Sequence, residues 1–116
     1  MARVLVVEDN ADAGDAMRML LEAGGHDVRV AGTVAAAIAA CNETPVDLML
    51  LDLTLPDGDG LEVLARATTA PNVTVALTGW DEPAVIARCR TAGCRDVLLK
   101  PVSARTLLAL TATLTT

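Results

Sequence analysis

The segment DLMLLDLTLPDGDG, residues 47–60, holds four consecutive apolar residues, Leu48, Met49, Leu50 and Leu51, that end on a carboxylate, Asp52. A Pro and Gly turn follows within a few residues. An unbroken apolar run reads as a strand buried on both faces, as the strands of a parallel sheet are. A charge at the tip of such a strand is costly unless something compensates it. The chain must therefore supply a cover for both faces of the strand and a partner for Asp52.

The flanking sequence repeats the same alternation. Short, mostly apolar runs at Val4 to Val7, Val28 to Ala31, Val46 to Leu51, Val73 to Leu77 and Val97 to Leu99 read as strands. Arg29, Asp47 and Thr74 interrupt three of them. Segments with helical spacing lie between. Ala16, Met17, Leu20 and Leu21 form a stripe that stops at Gly24-Gly25. Thr33 is placed to cap a helix from Val34 to Cys41. Leu61, Leu64 and Ala65 follow Gly60 at helical spacing. Pro83 suits a first helical turn before Val85, Ile86 and Cys89, and Gly93 ends that helix. Ser103 precedes a last helix bearing Leu107, Leu108 and Leu110. Five strands and five helices in strict β-then-α order predict a doubly wound α/β sheet with right-handed crossovers.

Composition bounds the function. At 116 residues the chain reads as one domain spanning 1–116, and its 53% apolar content is ample for a core. That core is aliphatic, with no Phe, no Tyr and one Trp. A net charge of -6 argues against direct nucleic acid binding. No apolar run approaches a membrane span. In MARVLVVED, Glu8 and Asp9 cut the apolar run too short for a secretory signal, so a cytoplasmic location is expected. Cys41, Cys89 and Cys94, odd in number and without a close CxxC pair, predict reduced, buried thiols.

Doubly wound sheets bind ligands at the carboxyl ends of their strands. Those ends carry Glu8-Asp9-Asn10, Asp52, Thr78-Gly79 and Lys100-Pro101. Clustered carboxylates raise one another's pKa unless a cation lies among them. A hard divalent ion with oxygen ligands fits, Mg²⁺ best of all. Lys100 adds a compact charge suited to phosphate, and it is the only lysine among nine basic residues. Thr78 adds a hydroxyl, and Gly79 leaves room beside it. The set suits a carboxylate that takes a phosphoryl group.

Four pieces in order, VLVVEDN, LMLLDLTLPDGDGLEVL, VALTG and VLLKP, resemble the receiver domain of two-component response regulators over essentially the whole chain. The resemblance implies a flavodoxin-like sheet of strand order 2-1-3-4-5 with five helices. It implies that Asp52 is the phosphoacceptor and a Mg²⁺ ligand. Asp9 would bind the metal directly, Glu8 mainly through water, and Thr54 through its backbone carbonyl. Thr78 would bond the phosphoryl group and move inward on activation, Lys100 would pair with its oxygens, and the Lys100-Pro101 bond would be cis. The implied donor is a phosphohistidine on a histidine kinase or a histidine phosphotransfer protein. Such a domain catalyses its own phosphorylation and dephosphorylation but turns over no free substrate. The helix 4, strand 5 and helix 5 face is the family's contact surface, for a second copy or a downstream target, with no membrane partner. LTGW, AGCRDVLLKPVSARTL and NADAGDAMRMLLEAGGHDVRVA look most like receivers of hybrid histidine kinases or stand-alone ones, and the chain ends with its last helix. One departure stands out: Val97 occupies a place where the family often has an aromatic residue. Trp80, two residues after Thr78, either flanks access to Asp52 or is a loop aromatic.

Other acids and the histidine have plainer readings. Asp57 and Asp59 lack EF-hand spacing and read as turn residues. Asp12 and Asp15 favour a helix N-terminus. Asp47, Asp81 and Asp96 read as solvated border residues. His26 follows Gly24-Gly25 in a connection, a poor place for a phosphotransfer histidine. Three alternatives compete with the signalling switch. A haloacid dehalogenase-type phosphatase would need its nucleophile on the first strand and a second acid where Thr54 stands. A flavodoxin-like flavin binder would need a Ser/Thr-rich phosphate loop after strand 1. A phosphate-independent receiver-like interaction module would need none of the site, and the absent aromatic keeps it open.

Overall fold

The computed structural model describes residues 2–80 and 82–114. Five parallel strands, β1 (Arg3–Val7), β2 (Asp27–Ala31), β3 (Leu48–Asp52), β4 (Val73–Thr78) and β5 (Asp96–Leu99), form one sheet in the order β2-β1-β3-β4-β5. The helices α1 (Ala11–Ala23), α2 (Val34–Glu43), α3 (Glu62–Arg66), α4 (Pro83–Ala92) and α5 (Ala104–Leu114) connect them. The predicted doubly wound architecture and strand order are those observed. None of the described helices is long and apolar enough to cross a membrane.

Strand alternation splits the core into two layers. Leu5, Val7, Met49, Leu51 and Ala76 pack with residues of α2, α3 and α4. Val4, Val6, Leu48, Leu50, Val75 and Leu77 pack with Leu21 of α1 and Leu107 of α5. All of Leu48 to Leu51 is fully buried, at about 1.5–3 kcal/mol per large apolar side chain. The apolar run is thus explained: β3 is central, with helices on both sides.

The caps follow the sequence closely. Thr33 Oγ1 accepts the Ala36 N–H at 3.0 Å and Ser103 Oγ the Thr106 N–H at 3.1 Å. Gly93 ends α4 with φ of 107°, a left-handed conformation that a side chain would strain. Cys41, Cys89 and Cys94 are free and buried, and burial pushes the Cys94 thiol up to about 12.

Several expectations need correction. The third strand starts at Leu48, not Val46, and includes Asp52. Asp47, just before it, is not simply solvated. Its carboxylate accepts the Arg3 N–H at 2.8 Å and a proton of Asn72 Nδ2 at 3.4 Å, tying three segments together at the amino edge. Asp96 opens β5 and accepts the Val97 N–H at 2.8 Å. Asp81 lies outside the described residues. His26 sits in the α1–β2 connection as expected, where its Nδ1 accepts the Ala2 N–H at 3.2 Å. The sequence reading missed a small antiparallel ladder after β3, in which Thr54–Leu55 pairs with Gly58–Asp59.

Candidate functional site

The parallel register brings the ends of β1, β3, β4 and β5 to one edge. Continuing the alternation of each strand, Glu8, Asp52 and Lys100 fall on the α1/α5 side and Thr78 on the α4 side. The Lys100 Nζ lies 2.9 Å from Glu8 Oε1 and 3.0 Å from Asp52 Oδ2. Glu8 is 3% exposed and Asp52 6%. Asp9 is exposed at the mouth, and one oxygen from each of Glu8, Asp9 and Asp52 falls within 4.8 Å of the others.

Three acids and one lysine leave the charge unbalanced. Glu8 Oε2 is buried and accepts no hydrogen bond. Burial and the neighbouring Asp52 carboxylate outweigh Lys100 and push the Glu8 carboxyl up to about 7. Burial works in the same direction on Asp52. There the neighbouring Glu8 carboxyl, the Thr54 N–H and Lys100 outweigh it and hold the carboxyl below its ordinary range. Burial also disfavours the Lys100 ammonium, but its two carboxylate partners prevail and raise its pKa. A buried oxygen without a donor, beside two further carboxylates, is what a hard cation with oxygen ligands would satisfy. The acidic group of Glu8, Asp9 and Asp52 can hold a metal.

The surrounding loops aim these side chains. Asn10 Oδ1 caps α1 by accepting the Ala13 N–H at 2.9 Å, which starts the helix directly after the acid pair. The Thr54 N–H bonds Asp52 Oδ1 at 3.0 Å, so the backbone of Thr54 is held beside the acid. Thr78 is buried, and its hydroxyl accepts the Trp80 N–H at 3.0 Å. Its carbonyl accepts the Lys100 N–H at 2.7 Å, locking the ends of β4 and β5 together. The space around Gly79 is open, and the Lys100-Pro101 bond is cis. Trp80 is 63% exposed and borders an open pocket of about 320 Å³ with Thr54, Thr78 and Val85. Val97 is half-buried against the α2–α4 layer.

Three contributors escaped the sequence reading. Asp57, taken as a turn residue, caps α2: its oxygens accept the Val34 N–H at 2.7 Å and the Ala35 N–H at 3.1 Å. Asp59 accepts the Leu61 N–H at 2.9 Å, as a turn residue would, and also pairs with Arg88 of α4. Gly60 packs on the acceptor strand, where a Cβ would stand 2.2 Å from the Asp52 carbonyl oxygen. Only the glycine had a local signal, its place directly after an Asp in a turn.

The sequence profile of the response regulator receiver domain matches residues 4–112. The transcriptional regulatory protein TrcR of Mycobacterium tuberculosis is 36% identical over 92% of this chain and 42% of its own length. The swarming motility regulation protein RssB of Serratia marcescens is 36% identical over 84% of this chain and 46% of its own length. The chain thus spans less than half the length of these regulators. Among solved structures, a response regulator receiver domain protein (CheY-like) from Methanospirillum hungatei JF-1 superposes with a TM-score of 0.87 at 27% identity. That match covers 97% of this chain and 92% of the other.

Proposed function

The chain belongs to the response regulator receiver domain family of two-component signalling, and from that membership we propose that Asp52 accepts a phosphoryl group from a phosphohistidine in a Mg²⁺-dependent reaction. Residues 1–116 would act as one phosphoacceptor domain. The observation that carries this reading is the Lys100 Nζ, 3.0 Å from Asp52 Oδ2 and 2.9 Å from Glu8 Oε1, beside the unsatisfied Glu8 Oε2.

In this reading Glu8, Asp9, Asp52 and the Thr54 carbonyl would hold the ion, Glu8 mainly through water. Bound Mg²⁺ supplies charge neutralisation for the transferring oxygens. Asp52 is the nucleophile: a carboxylate oxygen bonds to phosphorus, the P–N bond breaks, and the imidazole nitrogen keeps the electron pair. Lys100 then neutralises a phosphoryl oxygen. The Thr78 hydroxyl accepts from Trp80 and so keeps its own proton to donate to another oxygen. Water later hydrolyses the acyl phosphate at the same site, which resets the domain. Thr78 with α4 and β5 forms the two-state element, whose surface meets a downstream target or a second copy. The partner on the donor side is a histidine kinase or a histidine phosphotransfer protein.

Incubation with Mg²⁺ and acetyl phosphate should add one phosphoryl group by mass, and Asp52→Asn should abolish it. Equal labelling of the variant would remove Asp52 from the mechanism. Val97, in place of an aromatic, favours a second reading as a phosphate-independent interaction module, for which the wild type would take no label at all.

A further inference from the structure

The Arg88 guanidinium on α4 hydrogen-bonds Asp59 Oδ2, and both line the pocket that Thr54, Thr78 and Trp80 border. Asp59 is not an isolated surface acid. It is the ladder partner of Thr54, and its other oxygen accepts the Leu61 N–H at 2.9 Å. Thr54 in turn donates its N–H to Asp52 Oδ1 at 3.0 Å. Gly60, the next residue, donates its N–H to the Leu53 carbonyl at 2.9 Å and leaves no room for a Cβ against the Asp52 backbone. A continuous run of contacts therefore leads from α4 through one carboxylate to both the side chain and the backbone of Asp52.

We propose that Arg88 and Asp59 are positioning residues, whose ion pair ties α4 to the ladder that sets Thr54 against Asp52. This rests on the reading of Asp52 as a Mg²⁺-dependent phosphoacceptor. Order at the acid cluster and the placement of α4 then bias each other, and the coupling is reciprocal. Val97 offers no aromatic ring to carry such coupling through β5, whereas this pair acts directly between helix and loop. Asp59 is held in its charged form by the same contacts. Burial would raise its carboxyl, but the Leu61 N–H and Arg88 outweigh it and lower it.

The sign of one measurement separates this role from simple electrostatics. Arg88 is a cation near a cation site, so on charge alone Arg88→Gln should tighten Mg²⁺ binding. The positioning role predicts the reverse, because Thr54 loses the order that its ladder partner imposes. Arg88 is largely exposed, so the substitution leaves the core intact. Mg²⁺ titrations followed by Trp80 fluorescence should show affinity weakened about threefold in Arg88→Gln, the scale of an exposed ion pair. In an Asp59→Asn background the same substitution should have no effect. Hydrogen exchange of the α4 amides should slow on Mg²⁺ addition in the wild type and not in Arg88→Gln. Unchanged or tighter binding in Arg88→Gln, or an equal loss in both backgrounds, overturns the coupling while a phosphorylatable wild type keeps the acceptor reading. A wild type that neither binds Mg²⁺ nor takes label overturns both.

Discussion

At the scale of single residues, the site is organised by a mismatch between acids and cations. Glu8 and Asp52 are both buried, and Lys100 reaches both without balancing them, so the Glu8 carboxyl is pushed up to about 7. A divalent ion at this cluster competes with protonation of Glu8. Mg²⁺ affinity should therefore rise with pH up to about 7, where the Glu8 carboxyl titrates, and level off above it. Titrations at about pH 6 and about pH 8 in one buffer system check this, and a pH-independent affinity would contradict a raised Glu8 carboxyl. Asp57 gives a second residue-scale prediction, in a lower pH range. The Val34 and Ala35 N–H groups hold its carboxyl below the ordinary value of 3.8. The charged form is favoured in the folded state, so the cap contributes stability above the unfolded pKa. That stability is lost as pH falls through the folded one. In acid-unfolding curves Asp57→Asn should therefore be less sensitive to pH below about 4 than the wild type.

At the scale of elements, the loop after β3 does more than reverse the chain. It is fastened at three places: Asp57 to the N-terminus of α2, Asp59 to α4, and Gly60 to the backbone of Asp52. Gly60→Ala brings a Cβ against a backbone carbonyl that cannot rotate away, so the loop must shift. Urea unfolding should show a loss of about 1–3 kcal/mol, the range for forced overpacking. Acetyl phosphate labelling should fall with it, since the same shift moves Asp52. Full stability in this variant would mean that the loop has slack the packing does not suggest. Two of the three fastenings join residues remote in sequence. Asp57 lies 23 residues from Val34 and Asp59 lies 29 from Arg88.

At the scale of the whole molecule, the domain is a two-layer core with an electrostatically unfinished edge. Any ion bound there stabilises the folded state by mass action, because the unfolded chain has no such cluster. Mg²⁺ should raise the thermal midpoint of the wild type and have little effect on Asp9→Asn, as differential scanning calorimetry would show. An equal shift in both would locate the ion elsewhere. The fold itself was legible in the chain, for a local reason. Strand and helix periodicity, the caps at Thr33 and Ser103, and the stops at Gly24 and Gly93 each depend on a few adjacent residues. Strict β-then-α order then admits few topologies. The convergence of Glu8, Asp52, Thr78 and Lys100 on one edge followed from parallel strands ending together, and the cis Lys100-Pro101 bond accompanied the family resemblance. What only tertiary structure decided was the pairing of side chains whose separation in sequence carries no signal. From the chain, Asp47, which meets Arg3, read as a border acid, and Asp57 and Asp59, which meet α2 and Arg88, read as turn acids. A carboxylate in a turn looks the same whether it faces water or a helix end, because its partner is chosen by how the layers stack. Burial, and with it the raised Glu8 carboxyl, belongs to the same class: the acid is written in the sequence, but its surroundings exist only once the sheet is covered on both sides.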